Sequence, residues 1–196
     1  MARTQYGLAS ERLGMTGTRQ FGGSFFPAVC YGIAALMLVL FYYRHPGANA
    51  PTDSVYGYVL FGINCFFSAR IAISDARTLK IPFLHLGVIG LTAIFVAAIS
   101  QTLLPSFLAA ASAAITLLTA RQLTTYMTGK PSIGIGDIML SFCLGFWLTP
   151  ATLPFALIVA ITVTALFRLI LDFRLGSRIP FAPGIALGFC LVAAIG

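Results

Sequence analysis

Residues 82–120 read PFLHLGVIGLTAIFVAAISQTLLPSFLAAASAAITLLTA and contain no Asp, Glu, Lys or Arg. A helix needs roughly 20 apolar residues to cross the hydrocarbon core of a bilayer, so this stretch predicts two spans, at 82–100 and 103–120. The whole 196-residue chain has the same character, with 59% hydrophobic and 9% charged residues and a mean hydropathy of +0.95. Soluble domains are far less apolar. The sequence therefore predicts an integral membrane protein.

Five further apolar segments complete the predicted membrane region. In lipid, every backbone amide must find its hydrogen bond within the protein, and these segments lack the alternating polarity of membrane strands. We therefore predict an all-α fold, a polytopic bundle of about seven transmembrane helices. The other five spans are placed at 25–43, 55–74, 136–149, 151–171 and 180–196.

The basic residues predict the orientation of the bundle in the membrane. If the N-terminus is cytoplasmic, only Arg44 of the 12 Lys and Arg residues falls outside, which is a strong positive-inside bias. The net charge of +7 is then an orientation signal, and no nucleic-acid partner is expected. The residues placed inside are Arg3, Arg12, Arg19, Arg70, Arg77, Lys80, Arg121, Lys130, Arg168, Arg174 and Arg178.

The N-terminal part divides into a tail and the start of the membrane domain. Residues 1–24 are predicted to be a cytoplasmic tail, and residues 25–196 a single transmembrane domain. Ala48-Asn49-Ala50 is similar to a signal-peptidase site, but the first apolar run is longer than the apolar region of a usual signal peptide, and Arg44-His45 separates the two. We expect the first helix to be retained.

The cysteines predict neither a metal site nor a disulfide. They lie singly in four different apolar segments, with no Cys-x-x-Cys pair and no histidine at metal-ligand spacing. No metal and no other cofactor is expected. The four residues are Cys30, Cys65, Cys143 and Cys190.

Two acidic residues at predicted membrane boundaries are the candidates for chemistry. Asp75 closes the second predicted helix, and Asp137 opens the fifth. An ionisable group there is unfavourable unless it is paired, solvated or functional. Two close carboxylates share one proton, so one can act as a base toward water and the other as an acid toward a carbonyl oxygen. A salt bridge of Asp75 with Arg77 or Lys80 is the structural alternative.

The helix ends suggest which carboxylate plays which part. The positive end of a helix dipole favours the anion of Asp137, and the negative end favours protonated Asp75. We therefore predict Asp137 as the base and Asp75 as the acid. Gly134 and Gly136 would let the chain turn tightly before Asp137 and let another segment approach closely. Asp172 is predicted instead to pair with the basic residues around it.

Three motifs, taken in order, resemble those of the membrane-embedded aspartic peptidases that process type IV prepilins. The resemblance covers residues 55–196, and all three motifs fall on the predicted cytoplasmic side. They are Asp75 with the basic stretch to Ile81-Pro82, then Gly134-Ile135-Gly136-Asp137, then Ile179-Pro180-Phe181-Ala182-Pro183 with Leu187-Gly188 beyond.

This resemblance implies an enzyme of the bacterial inner membrane that removes the basic leader of pilin or pseudopilin precursors at the cytoplasmic face. It implies Asp75 and Asp137 as the catalytic pair, without a metal. The residues that it implies to support the site or bind substrate are Pro82, Gly134, Gly136, Pro180 and Pro183.

The chain departs from the family pattern at several points. Phe83 stands where many members have Asn, and Met139 stands where many have Lys. The four-cysteine zinc module and the methyltransferase loop of bifunctional members are missing. We therefore expect peptidase activity without N-methylation, as in the small peptidases of tight-adherence pilus systems.

Two other functions remain open from the sequence. A small transporter could use the same aspartates as a proton or cation site, although the chain shows no clear internal repeat. An inactive relative that assists pilin assembly is the second alternative. The motifs of serine and zinc membrane proteases, Gly-x-Ser-x-Gly and His-Glu-x-x-His, do not occur.

Overall fold

The computed structural model describes residues 25–44, 51–129, 133–175 and 180–195. Within these residues every regular element is a helix and the helices number seven, which confirms the predicted all-α bundle. They are α1 (Phe25–Arg44), α2 (Pro51–Thr78), α3 (Phe83–Ile99), α4 (Leu103–Thr128), α5 (Ile135–Gly145), α6 (Leu153–Leu175) and α7 (Ala182–Ile195).

Some sequence predictions concern parts of the chain that the structure does not describe. The predicted tail at 1–24 and the Ala48-Asn49-Ala50 site lie outside the described residues. The backbone of α6 is described, but the side chain of Asp172 and those of the basic residues around it are not. The predicted charge pairing of Asp172 therefore stays a prediction.

Helix lengths separate long membrane-crossing segments from short ones. Tyr56–Thr78 and Leu103–Thr128 are long and apolar enough to cross a membrane, and the other helices contain shorter apolar stretches. Helix α5 has 11 residues, so it extends only about 16 Å against a hydrocarbon core of about 30 Å. The predicted fifth span, 136–149, was too long.

The end of α5 has a visible physical cause. The N–H of Trp147 donates to the carbonyl of Leu144 at 3.1 Å, and the next N–H donates to the carbonyl of Gly145 at 3.0 Å. These three-residue spacings tighten the last turn, as is common at helix ends. Thr149 and Thr152 then exchange hydrogen bonds between backbone and side chain just before α6 begins.

Helix α7 occupies the centre of the bundle. It packs against α1, α2, α5 and α6, and most of its residues, from Ala182 to Ala194, are buried. The same helix begins beside Asp75, as described below. The central position of α7 therefore fixes one wall of the candidate site.

Small residues allow the helices to approach closely. A Cβ built on Gly188 of α7 would lie 2.6 Å from the backbone nitrogen of Ala160 and 2.7 Å from the carbonyl oxygen of Ala156, both on α6. A Cβ on Gly145 of α5 would lie 2.6 Å from the Cα of Ala110 on α4. Such backbone contact is how helices associate in lipid, where the hydrophobic effect does not drive them together.

The outer faces of the bundle are apolar. Leu91 on α3, Leu104 on α4 and Leu169 on α6 are each at least 70% exposed. Contact of large apolar side chains with lipid tails is favourable, whereas their exposure to water is unfavourable. The exposed surface agrees with a helical bundle that lies in a membrane.

Candidate active site

Asp75 is a buried carboxylate at the end of α2. It is 6% exposed, and its Oδ2 accepts a hydrogen bond from the backbone N–H of Ala182, 3.2 Å away. Ala182 is the first residue of α7, so this bond brings the segment from Pro180 to Pro183, both buried, against Asp75. Helix α2 ends directly after the site, where Leu79 takes a left-handed conformation with φ 53°.

Asp137 is the second buried carboxylate, in the first turn of α5. Its Oδ2 accepts a hydrogen bond from the backbone N–H of Gly134 at 3.1 Å. Gly134 is the N-cap and has extended backbone (φ −71°, ψ 153°). The carboxylate thus forms the returning half of a capping box and satisfies an amide that the helix leaves without a partner. Its Oδ1 makes no hydrogen bond within the described residues.

The loop between α2 and α3 contacts the Gly-x-Gly-Asp turn directly. A Cβ built on Gly136 would lie 3.1–3.3 Å from three atoms of the Ile81 side chain. Pro82, the next residue, is the N-cap of α3 and has extended backbone (φ −68°, ψ 123°). The first two motifs are therefore in physical contact, and a side chain larger than hydrogen at position 136 would crowd Ile81.

Electrostatics couple the two carboxylates. Asp75 lies close enough to Asp137 for their charges to interact, and both side chains are buried. Two anions in such a place repel each other strongly, so the state in which the pair holds one proton is favoured over the doubly ionised state. Arg77 and Lys80 are exposed, and within the described residues Asp75 is held by an amide rather than by either cation.

Arg121 is a residue near the site that the sequence did not single out. It is the one charged residue of α4, and its Nη1 donates to the backbone carbonyl of Ile133 at 2.6 Å. Ile133 directly precedes Gly134. A lone charge in an apolar helix was the available signal, because such a charge usually has a specific partner.

The positions that depart from the family pattern lie on the surface. Phe83 is 73% exposed, and Met139 is 42% exposed. Met139 stands two residues after Asp137, so it lies on a different face of α5 from the buried carboxylate. Among the described residues, no group of three or more His, Cys, Asp or Glu side chains is arranged to hold a metal ion.

The comparison with known families identifies the class of protein to which this helical bundle belongs. Residues 62–169 match the type IV leader peptidase family. The match covers more than half of the chain and includes α2 from its middle onward, α3, α4, α5 and most of α6. This chain belongs to the type IV leader peptidase family.

The chain is also similar in sequence to an individual peptidase. The chain is 29% identical over 154 residues to a prepilin leader peptidase/N-methyltransferase from Dichelobacter nodosus. That alignment covers 79% of this chain and 52% of the relative, so the chain spans about half the length of the curated relative that it matches. No solved structure matches the chain.

Proposed function

We propose that this chain is an aspartic endopeptidase that removes the leader of type IV pilin-like precursors, with Asp75 and Asp137 as its catalytic pair. The observation that carries the proposal is the contact of Ile81 with Gly136, which joins the two segments that carry the buried carboxylates. Family membership supports the type of enzyme, and the name of the Dichelobacter relative supports the class of substrate.

The two carboxylates have different surroundings, which suits them to different parts of one reaction. Each carboxylate accepts one backbone amide, Asp137 from Gly134 and Asp75 from Ala182. Asp137 lies in the first turn of its own helix, α5, where the helix dipole favours the anion. Asp75 lies in the last turn of α2, where the helix dipole favours the protonated acid. We assign Asp137 as the base and Asp75 as the acid, in a pair that titrates as a unit.

The chemistry then needs only these groups and a water molecule. Asp137 takes a proton from the water molecule as the water oxygen attacks the scissile carbonyl carbon. Asp75 donates its proton to the carbonyl oxygen. The tetrahedral intermediate is neutral. Its collapse breaks the C–N bond as Asp137 passes its proton to the leaving amine and Asp75 takes back a proton from a hydroxyl of the intermediate. The products are the leader with a C-terminal carboxyl group and the mature chain with a new N-terminus. Asp137 Oδ1 is the oxygen that we assign to the water, because Oδ2 is held by Gly134.

The membrane placement is part of the proposal. The positive-inside bias supports a site on the cytoplasmic side of the membrane. The family supports a bacterial inner membrane as its location, with residues 1–24 as a tail and 25–196 as the peptidase domain. Exposed Arg77 and Lys80 follow Asp75 at this same end of the bundle. The short connection between α1 and α2 leaves no room for a methyltransferase module, so we propose cleavage without N-methylation.

The test is co-expression of the protein with pilin-like precursors from the same genome, with leader removal read by mass spectrometry of the products. We expect cleavage by the wild type, and none by Asp75→Asn or Asp137→Asn. The mass also reports whether the new N-terminus carries a methyl group. If folded wild-type protein leaves every precursor intact, the protease assignment is wrong. A proton flux in vesicles that both variants abolish would then favour a transporter.

A further inference from the structure

Arg121 and Asp137 bind opposite sides of one peptide group. Arg121 donates to the carbonyl oxygen of Ile133 at 2.6 Å. The N–H of Gly134, which donates to Asp137 Oδ2 at 3.1 Å, belongs to the same peptide unit. A peptide unit is planar and rigid, so an interaction that orients its carbonyl also orients its N–H.

From this arrangement we propose that Arg121 is a positioning residue for Asp137, acting through the Ile133–Gly134 peptide. The inference rests on the proposed role of Asp137 in peptide hydrolysis. It goes beyond that role because it assigns a task to a residue on α4 that lies outside all three motifs.

Two physical effects follow from the link. The guanidinium makes a charge-assisted hydrogen bond, which is shorter and stronger than a neutral one. By polarising the carbonyl it also makes the N–H on the other side of the peptide a better donor to the Asp137 carboxylate. The orientation of the carboxylate and the stability of its anion therefore both depend on Arg121.

The surroundings of Arg121 keep it in place. Its own carbonyl accepts hydrogen bonds from the hydroxyls of Thr124 at 3.0 Å and Thr125 at 2.7 Å. Helix α4 ends at Gly129, which has φ 71° and whose N–H donates to the carbonyl of Thr125 at 2.8 Å. Hydrogen bonds thus stabilise the C-terminal part of α4. From this part of the helix the Arg121 side chain extends to the carbonyl of Ile133, just before α5.

The positioning role also bears on the departure at Met139. Family members that carry Lys there have a positive charge two residues after the second aspartate. In this chain that side chain is uncharged and exposed. Among the described residues, Arg121 is a cation that binds the carbonyl directly before the Gly-x-Gly-Asp turn.

The experiment uses the full-length protein and a precursor that the wild type cleaves, with kcat and KM measured separately for Arg121→Lys, Arg121→Gln and Arg121→Met. We expect Arg121→Met to lower kcat roughly 10- to 100-fold, with KM little changed, because misplacing a catalytic group by about 1 Å has effects of this size. Lys should restore more of kcat than Gln. Gln122→Met, at the exposed neighbouring position, is the control expected to match the wild type.

A second variant and a second measurement cover the case in which Arg121→Met folds poorly. Gly134→Pro removes the donating N–H at a position whose φ of −71° suits proline. Because any Cβ at this position would lie 3.0 Å from Asp137 Oδ2, Gly134→Ala is the matched control, and kcat should fall further in the proline variant than in the alanine variant. Hydrogen exchange at the Gly134 amide should be roughly tenfold faster in Arg121→Lys or Arg121→Gln, as for a weakened hydrogen bond.

The outcomes separate this inference from the proposed function. Wild-type cleavage with unchanged kcat in the folded Arg121 variants overturns the positioning role and leaves the protease assignment intact. A change confined to KM also overturns it, because the arginine would then act on substrate. If the wild type cleaves nothing, the protease assignment fails, and unchanged exchange at Gly134 would overturn the link itself.

Discussion

The side chain of Ile81 packs directly on Gly136, so that a Cβ added to the glycine would lie 3.1 Å from Ile81 Cδ1. This contact joins the loop after Asp75 to the turn before Asp137. We expect Gly136→Ala to lower the free energy of unfolding by about 1–3 kcal/mol, the usual effect of overpacking. It should also slow cleavage, because the two carboxylates are forced apart. Thermal unfolding in detergent and the cleavage rate measure the two effects.

The control for this prediction is a substitution of Ile81, the residue that contacts Gly136. Ile81→Val removes the Cδ1 atom that stands nearest to the added methyl group, so it should recover part of the loss in a Gly136→Ala background. Ile81→Val alone should have only a small effect on stability. An additive loss in the double variant would contradict the contact as the cause.

A second prediction concerns the contact between α6 and α7. Gly188→Ala would place a methyl group 2.6 Å from the Ala160 nitrogen, so the helices must separate. Because α7 also carries the amide that binds Asp75, we expect both stability and cleavage to fall. Gly87→Ala on α3 is the matched control, since a Cβ there meets nothing within 4 Å. It should be neutral, or stabilising by up to about 1 kcal/mol.

The third prediction addresses Met139. Its side chain is 42% exposed and lies away from the buried face of Asp137, so Met139→Lys should change the cleavage rate by no more than about twofold, as for an ordinary surface substitution. A rate increase of tenfold or more would show that the lack of a cation at position 139 limits the cleavage rate of the wild type. Steady-state cleavage of one precursor by both proteins decides the question.

The fourth prediction is the pH dependence of cleavage. In the proposed mechanism the active form of the pair holds one proton, so activity should be highest at intermediate pH. At low pH both carboxylates are protonated and the base is lost, and at high pH both are ionised and the acid is lost, which gives a bell-shaped profile. A rate that rises steadily across the range in which the protein stays folded would contradict a shared proton.

Much of the fold was predictable from the sequence, for a simple physical reason. A segment that crosses lipid must be apolar and must form its hydrogen bonds internally, so composition alone predicts the helices. The C-terminal end of α5 was harder to predict, because Trp147 and Leu148 are as apolar as the helix before them. Its end depends on local hydrogen bonds of the tightened turn rather than on polarity.

The two acidic residues were candidates from the sequence, because ionisable residues at a membrane boundary are rare, and their role as a pair stays a prediction. The residues that contact the two aspartates could not be predicted from the sequence. The contact of Ile81 with Gly136 and the bond from Arg121 to Ile133 depend on how loops from different helices meet. Spacing along the chain carries no information on such contacts, whereas a lone arginine in an apolar helix could have been flagged.

The most direct test of the central claim measures kcat for leader removal by purified protein in liposomes, comparing the wild type with Asp75→Asn and Asp137→Asn. Each substitution preserves side-chain size but removes the acid or base, so we expect each to lower kcat at least about 100-fold while the protein stays folded. Asp172→Asn, a carboxylate outside the proposed pair, is the control expected to keep wild-type activity. Full activity in either member of the pair would contradict the account.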